Sequence, residues 1–432
     1  MSEVNLWLLY GLPFLAVVGI YLGRRRSHDK ASSAALRKAE QTGMTEPSSL
    51  HPVIDPNICV GSGACVRACP EKTLGIVKGK AHMVNPTVCI GHGACAAACP
   101  VEAIKLVFGT ARRGIEIPYV KPSFETNVPG IFIAGELGGM GLIRKAAEQG
   151  RQAIEAIAHN RAQNGELDVV IVGSGPAGLS STLGAMEKNL RFVTLEQEDS
   201  LGGTVYHYPR NKIVCTAPVV LPLIGKVPLG EISKESLLEF WQDIVTRVDM
   251  PISFRECVHK IALAEGGYVV MTARGEYRSR SVLLAIGRRG TPRKLGVPGE
   301  ELPKVLYGLV DPEQYRGKRM LVVGGGDSAV EAALALAAEP GTHVALSYRS
   351  EAFGRIKTRN RERLGQMEGN RHFQVLLRSN VTRISETHAL LERDGQPIEL
   401  ENNWVIVCAG GVLPTPMLKE IGVAVETKFG TA

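Results

Sequence analysis

The stretch from Asp168 to Gly178 constrains this chain more than any other. Val169 to Val172 is an unbroken apolar, β-branched run, as in a parallel strand buried on both faces. Gly173-Ser174-Gly175-Pro176-Ala177-Gly178 follows at once, then a helical stretch, Leu179 to Glu187, and a second strand, Phe192 to Leu195, that ends at Glu196. A lone G-x-G-x-x-G says little. With a strand before it, a helix after it and an acid twenty-three residues on, it predicts a dinucleotide-binding unit of a doubly wound sheet. Gly173, Gly175 and Gly178, with Pro176 and Ala177 between them, allow a tight turn and close approach to a pyrophosphate. Glu196 would accept from ribose hydroxyls.

A second unit starts at Arg319 to Val323. Its turn is Gly324-Gly325-Gly326-Asp327-Ser328-Ala329, its helix Val330 to Ala338 and its next strand His343 to Ser347. That strand ends at Tyr348-Arg349 rather than at an acid. An acid there favours NADH, whereas Arg349, Arg355 or Arg359 could pair a 2′-phosphate, so the pattern tilts towards NADPH with NADH left open. Gly324, Gly326, Asp327, Ser328, Ala329, Arg349 and Arg355 are the candidate NAD(P) contacts.

Three further stretches carry strand-then-glycine patterns. Ile131 to Ala134 is an apolar run that ends at Gly135-Glu136. It passes through Gly138, Gly139 and Gly141 into Leu142-Ile143 and an amphipathic helix to Ala158, with Ala146, Ala147, Ile154 and Ile157 on its expected packed face. A carboxylate at the strand end and a helix N-terminus beyond it suit a ligand with hydroxyls and a partly anionic ring. Leu201-Gly202-Gly203-Thr204 and Ser281 to Gly287 are the others.

Upstream lies an internal repeat. Ile54 to Cys69-Pro70 is echoed by Val84 to Cys99-Pro100, and Cys59, Cys65 and Cys69 recur thirty residues later as Cys89, Cys95 and Cys99. Six clustered cysteines of nine argue for metal rather than disulfides; Cys215, Cys257 and Cys408 stand alone.

The cysteine repeat resembles the two-cluster bacterial ferredoxin module, whose motif is C-x2-C-x2-C-x3-C-P. In that family the last cysteine of each motif serves the other cluster. The resemblance therefore implies one site of Cys59, Cys65 and Cys99 and another of Cys89, Cys95 and Cys69. The second ligand position departs from the motif, holding Ser62 in one half and His92 in the other. Three thiolates per site suit a [3Fe–4S] cluster, or a [4Fe–4S] cluster whose fourth iron takes another ligand. His92 is the stronger candidate, since a hydroxyl such as Ser62 is a poor iron ligand.

Residues 110 to 432 resemble thioredoxin-reductase-like flavoproteins, which implies an α/β chain with two Rossmann-like, three-layer FAD and NAD(P) domains. The resemblance implies FAD contacts at Gly173, Gly175, Pro176, Ala177, Gly178, Glu196, Gly202, Gly203, Thr204 and Gly287, with Lys212 as a candidate flavin neighbour. Gly135, Glu136, Gly141, Leu142 and Ile143 match a segment that this family carries near its C-terminus, with Glu136 near the ribitol. Here that segment precedes the first glycine unit, as in a circular permutation. Phe108-Gly109-Thr110-Ala111 and Phe429-Gly430-Thr431-Ala432 are identical tetrapeptides on either side of the cut. The family's C-x-x-C dithiol is missing, because 296–409 holds only Cys408. Electrons are then expected to pass from NAD(P)H through FAD to the clusters, with no protein acid or base required. Fusing the cluster module to a flavin-binding segment would keep the two redox centres close.

Val4 to Leu22 is nineteen residues without a charge, long enough for the ~30 Å hydrocarbon layer of a bilayer. Arg24, Arg25 and Arg26 follow, so the positive-inside rule places the rest of the chain on the cytoplasmic side of a cell (inner) membrane. The expected domains are a transmembrane anchor (1–24), a linker (25–50) with a short helix near 34–41, and a small α+β iron–sulfur domain (51–109). The permuted FAD segment (110–165), FAD domain (166–295), NAD(P) domain (296–409) and FAD-domain return (410–432) follow. Expected partners are the bilayer, a membrane haem protein or quinone-reactive subunit, and a second copy in a homodimer. A net charge of +7 without a basic-aromatic stripe argues against nucleic acid. Two other readings are an accessory electron-transfer subunit without productive NAD(P)H turnover, and reduction of NAD(P)+ by a ferredoxin-type donor. A third makes the clusters redox sensors.

Overall fold

The structure is a computed structural model that describes residues 3–41, 45–47, 50–91, 93–111, 114–139, 141–162, 166–208, 210, 212–215, 218–288, 290–354 and 356–430, without the side chains of 3–11, 215, 291 and 358. Two compact units emerge. One comprises Met1–Arg113, Ala352–Thr358 and Phe429–Ala432, and the other Gly114–Glu351 and Arg359–Lys428.

The first unit begins with helix α1 (Glu3–Gln41), which continues through Pro13. From Leu12 to His28 its side chains are almost all exposed; from Asp29 onward one face is covered, down to 4% exposure at Ala39. The covered positions 29, 32, 33, 35, 36 and 39 follow the helical repeat and pack on the domain that comes next. This corrects the expected linker over 25–50, with its short helix near 34–41. The Ala, Arg, Lys and Glu of this polar stretch are strong helix formers, and docking supplies the tertiary support. Among the described residues no helix is long and apolar enough to cross a membrane. The side chains of residues 4–11, the first part of the expected span, lie outside that description.

The domain that carries the cysteine repeat is a pair of similar halves. Strand β1 (His51–Ile54) pairs antiparallel with β4 (Ile104–Val107), and β2 (Leu74–Val77) forms a hairpin with β3 (Lys80–Met83). Short helices α2 (Ala64–Ala68) and α3 (Ala94–Ala97) lie between. Its core contains Cys59, Cys65 and Cys95 beside Leu74, Ala81, Ala103 and Ile104.

The second unit opens with β5 (Ile115–Pro118), β6 (Ile131–Ile133) and α4 (Ile143–Ala158). The first glycine unit follows as β7 (Leu167–Val172), α5 (Pro176–Glu187) and β8 (Phe192–Leu195). Its sheet runs Ile252–Ser253, β8, β7, Glu276–Leu284, Gly267–Thr272, Val258–Ala264. β6 joins the sheet in parallel with the end of Glu276–Leu284, pairing Ile131 with Val282 and Ile133 with Leu284. Residues Val169, Val170, Ile171, Val282, Leu283 and Leu284 are wholly buried, as expected of strands covered on both faces. On one face, α4 packs Ala146, Ala153, Ile154 and Ile157 into the core. Helix α6 (Lys234–Arg247) caps a further apolar cluster through Leu237, Trp241 and Ile244.

The second glycine unit has an all-parallel sheet in the order Val305–Leu306, Trp404–Val407, Arg319–Val323, His343–Tyr348, Phe373–Leu377, with α7 (Asp327–Ala337) after the turn. The two sheets are joined by an antiparallel pair, Thr291 with Val412 and Pro292 with Gly411. The chain then returns through helix Thr415–Ile421 to strand Val425–Lys428, which pairs with β5.

Candidate redox-cofactor sites

Six thiols divide into two groups of three. Cys59, Cys65 and Cys99 line one void with Gly61, Ser62 and Gly63. Cys69, Cys89 and Cys95 line another with Gly91 and Gly93. Each set takes its last cysteine from the opposite repeat, so the structure has the crossed arrangement that the ferredoxin resemblance implies. Among the described residues no three His, Cys, Asp or Glu side chains converge on a single ion. Each trio surrounds a volume, as an extended cluster requires.

Backbone N–H groups point at the sulfurs. Thr73 donates to Cys69 Sγ at 3.4 Å, Ala103 to Cys99 Sγ at 3.3 Å and Ala81 to Cys59 Sγ at 3.5 Å. Burial, with neighbouring thiols adding to it, pushes Cys65, Cys89 and Cys95 above the ordinary thiol range. Buried thiolates of this kind need a cation among them. The buried hydroxyl of Thr73 lies beside the second void and favours the Cys89 thiolate by hydrogen bonding. The residues present thus fit iron–sulfur ligation. The Ser62 hydroxyl lines the first void and accepts from Ala64 N–H at 3.4 Å. His92 lies outside the described residues.

In the second unit, segments far apart in sequence meet around the N-terminus of α5. A Cβ built on Gly135 would lie 3.1 Å from that of Ala177, and one on Gly203 would lie 3.2 Å from Gly175 Cα. Gly287 comes up against Thr204. The first turn of α5 has no side-chain cap, nor has that of α4, which starts at Ile143 after Leu142. Unpaired N–H groups and the positive end of each dipole are therefore available to an anionic ligand. Gly141 packs against the Glu136 side chain, whose carboxyl burial pushes upward while Arg288 pulls it down. These residues fit a dinucleotide with a pyrophosphate at α5 and a ring near α4.

Glu196 is 5% exposed. Its Oε2 accepts from Ser174 N–H at 2.7 Å and Ser174 Oγ at 2.8 Å, and its Oε1 accepts from Glu198 N–H at 3.0 Å. It ties the glycine turn to the strand end, besides any contact to a ribose. Sequence reading missed Ser174, Arg288 and Gln149, whose Oε1 accepts from Gly135 N–H at 2.9 Å. Arg288 directly follows Gly287 and was the most findable of the three.

Lys212 Nζ lies 3.5 Å from Glu331 Oε2 on α7 and 4.6 Å from the centroid of the Tyr208 ring, an ion pair and a cation–π contact. Both side chains are partly exposed, so the pair contributes less than about 1 kcal/mol. Lys212→Met is expected to lower stability by no more than about that amount and to leave the flavin absorption maximum unmoved. A shifted maximum would make Lys212 a flavin neighbour.

At the second glycine turn, α7 also starts without a side-chain cap, after Gly326. Asp327 accepts from Asn360 Nδ2 at 2.6 Å, and Asn360, 4% exposed, also donates to Glu331 at 3.1 Å. The Tyr348 ring lies against Gly325, and Arg349 beside it is exposed. Arg355 lies outside the described residues.

Two sheets with a dinucleotide-binding turn on each define a nucleotide-dependent oxidoreductase, and a dicluster iron–sulfur module precedes them. The chain belongs to the pyridine nucleotide-disulphide oxidoreductase family, whose model matches residues 170–430. A 4Fe-4S dicluster domain model matches residues 51–100. Among curated proteins, the chain is 33% identical to the ferredoxin–NADP reductase of Ignicoccus hospitalis over 46% of its own length and 61% of that protein. It is 25% identical to the bacilliredoxin reductase of Bacillus subtilis over 60% of itself and 82% of that protein. Of its archaeal reductase relatives, the chain spans 61% of the first and 51% of the second. The solved bacillithiol disulfide reductase of Bacillus cereus shares the fold, with a TM-score of 0.54 at 22% identity, covering 60% of this chain and 82% of that one.

Proposed function

We propose that this protein is a membrane-anchored iron–sulfur flavoprotein that oxidises NAD(P)H and delivers the electrons to a membrane quinone or haem protein. The observation that carries this reading is the presence, in one chain, of two uncapped glycine-turn helix starts and two three-thiolate voids. When bound, FAD would take two electrons and one proton as hydride from NAD(P)H, leaving NAD(P)+, and the clusters would pass those electrons on singly to the acceptor. The chain's own part is to hold and orient. The α5 N-terminus would carry the pyrophosphate, Glu136 would accept from the ribityl hydroxyls and Arg349 would face a 2′-phosphate.

Two details support a permuted FAD domain. β6, ahead of the first glycine unit, completes the same sheet, and β5 pairs with the final strand, Val425–Lys428. The described parts of the duplicated tetrapeptides also meet, with Gly430 N–H donating to Phe108 O at 2.8 Å. Termini that meet in this way are where a chain tolerates being cut and rejoined.

The bilayer reading rests on the uncharged run Val4–Leu22 and on Leu12, Phe14, Leu15, Val17 and Ile20, each more than half exposed on α1. A helix apolar all round is a membrane span or a buried core element. The names of the archaeal relatives favour one further reading, reduction of NADP+ by a ferredoxin-type donor.

Anaerobic addition of NADPH is expected to bleach the flavin absorbance, NADH less readily. Arg349→Ala should cut the NADPH-over-NADH ratio of kcat/KM about tenfold or more, the scale of one charge-assisted phosphate contact. Flavin that stays oxidised with both nucleotides would leave the accessory-subunit reading in its place.

A further inference from the structure

The contacts of α1 give the iron–sulfur domain a direction. Asp29 Oδ1 accepts from Lys78 N–H at 3.1 Å, at the turn of the β2–β3 hairpin. One helical turn later Ser32 faces Gly75, its Oγ 2.6 Å from where a Cβ would stand. The helix therefore runs antiparallel to β2, from the hairpin turn towards Leu74. The two thiol sites lie at opposite ends of that path. At the hairpin turn, Lys80 Nζ donates to Cys59 O at 2.6 Å, and Gly79 O would touch a Cβ on Gly61. Both contacts belong to the loop of the Cys59, Cys65 and Cys99 site. At the other end, Leu74 and Thr73 line the Cys69, Cys89 and Cys95 site, and Cys89 Sγ lies 3.9 Å from Leu50 O.

Resting on the bilayer reading above, we propose that α1 is a rigid strut rather than a tether. It holds the Cys59/Cys65/Cys99 end of the domain against anionic lipid headgroups and turns the Cys69/Cys89/Cys95 end away. From Leu22, where the apolar run ends, to Asp29 is seven residues of unbroken helix, about 10 Å. The headgroup layer fills much of that distance. At the near end exposed cations outnumber exposed acids: Arg24, Arg25, Arg26, Lys30, Arg67 and Lys78 against Asp55 and Glu102. The far end is mixed, with Glu71 beside Lys72 and both exposed. Such a cationic rim on a membrane-bound helix fits an acidic lipid surface.

The full-length holoprotein, placed in nanodiscs of phosphatidylcholine with or without phosphatidylglycerol, tests this by amine acylation followed by peptide mass analysis. Lys78 and Lys72 are both exposed and serve as near and far probes. Adding phosphatidylglycerol is expected to slow acylation of Lys78 about fivefold, corresponding to the ~1 kcal/mol that such a surface contributes per cation, and to leave Lys72 unchanged. A Gly-Ser insertion between Arg26 and Ser27 should abolish the slowing at Lys78 while the protein stays in the disc. Equal effects on Lys72 and Lys78, or none on Lys78 with the protein inserted, would overturn the strut. Failure of the holoprotein to enter discs would instead remove the bilayer reading on which the strut rests.

Discussion

Gly178→Ala is expected to yield protein that has lost its flavin yet keeps its iron. A Cβ at Gly178 would lie 1.8 Å from Gly173 O and 2.8 Å from Gly173 C. Backbone cannot rotate away as a side chain can. Gly173 has no room to retreat, because at φ 101 its own Cα faces Ala285 O, 2.7 Å from a Cβ there. The start of α5 must therefore lift off the turn, carrying with it the N–H groups that would hold a pyrophosphate. Overpacking of this kind costs about 1–3 kcal/mol, and each ~1.4 kcal/mol lost from binding is tenfold in affinity. The flavin-to-protein absorbance ratio after desalting should fall at least about tenfold on that scale, with a lower melting temperature. Iron per chain should hold, since the six clustered cysteines lie in the other unit. Gly326→Ala is the control. Gly326 is the N-cap glycine of α7, the counterpart of Gly175 rather than of Gly178 (whose counterpart is already Ala329), and an added methyl there would meet nothing within 4 Å at an extended φ of −98. Gly178→Ala protein as yellow and as heat-stable as the parent would mean that α5 does not start on this turn.

That contrast also marks how far sequence reading reaches. The strand, turn and helix of each glycine unit were legible because they are contiguous and their period is local. β7 and β8 lie within two residues of the expected strands, and the packed face of α4 is the expected one. The demand at Gly178 was not legible in the same way, because the second turn carries Ala329 at that place, and only the approach of α5 to Gly173 O shows that the first turn has no room for a methyl. Side chains that act across long separations were out of reach for the same reason. Lys212 pairs with Glu331, 119 positions away, and no periodicity announces such a partner. The helical continuation from 25 to 41 was missed because its polar sequence is amphipathic only with respect to β2, which comes later in the chain.

The crossed cysteine pairing is open to a sharper test than single substitutions allow. Cys65 feels Cys59, Cys95 and Cys99, and Cys89 feels Cys69, so the two trios lie close enough to influence each other, and it is the lining of the two voids that divides them. Removing one thiolate of three leaves too few ligands for a cluster, so Cys65→Ala should reduce iron per chain to about half. Adding Cys99→Ala removes a second ligand of a site already lost, and iron should stay at about half. Adding Cys69→Ala instead strikes the other trio, and iron should fall to nearly none. If each repeat held its own cluster, the outcomes would exchange. Cys65 with Cys69 would then cost one cluster, and Cys65 with Cys99 would cost both. Iron and acid-labile sulfide per chain read the result directly, and low-temperature EPR of the two double variants shows which centre survives. Retention of half the iron in the Cys65/Cys69 double variant would therefore refute the two voids as cluster sites, whatever the electron-transfer activity of either protein.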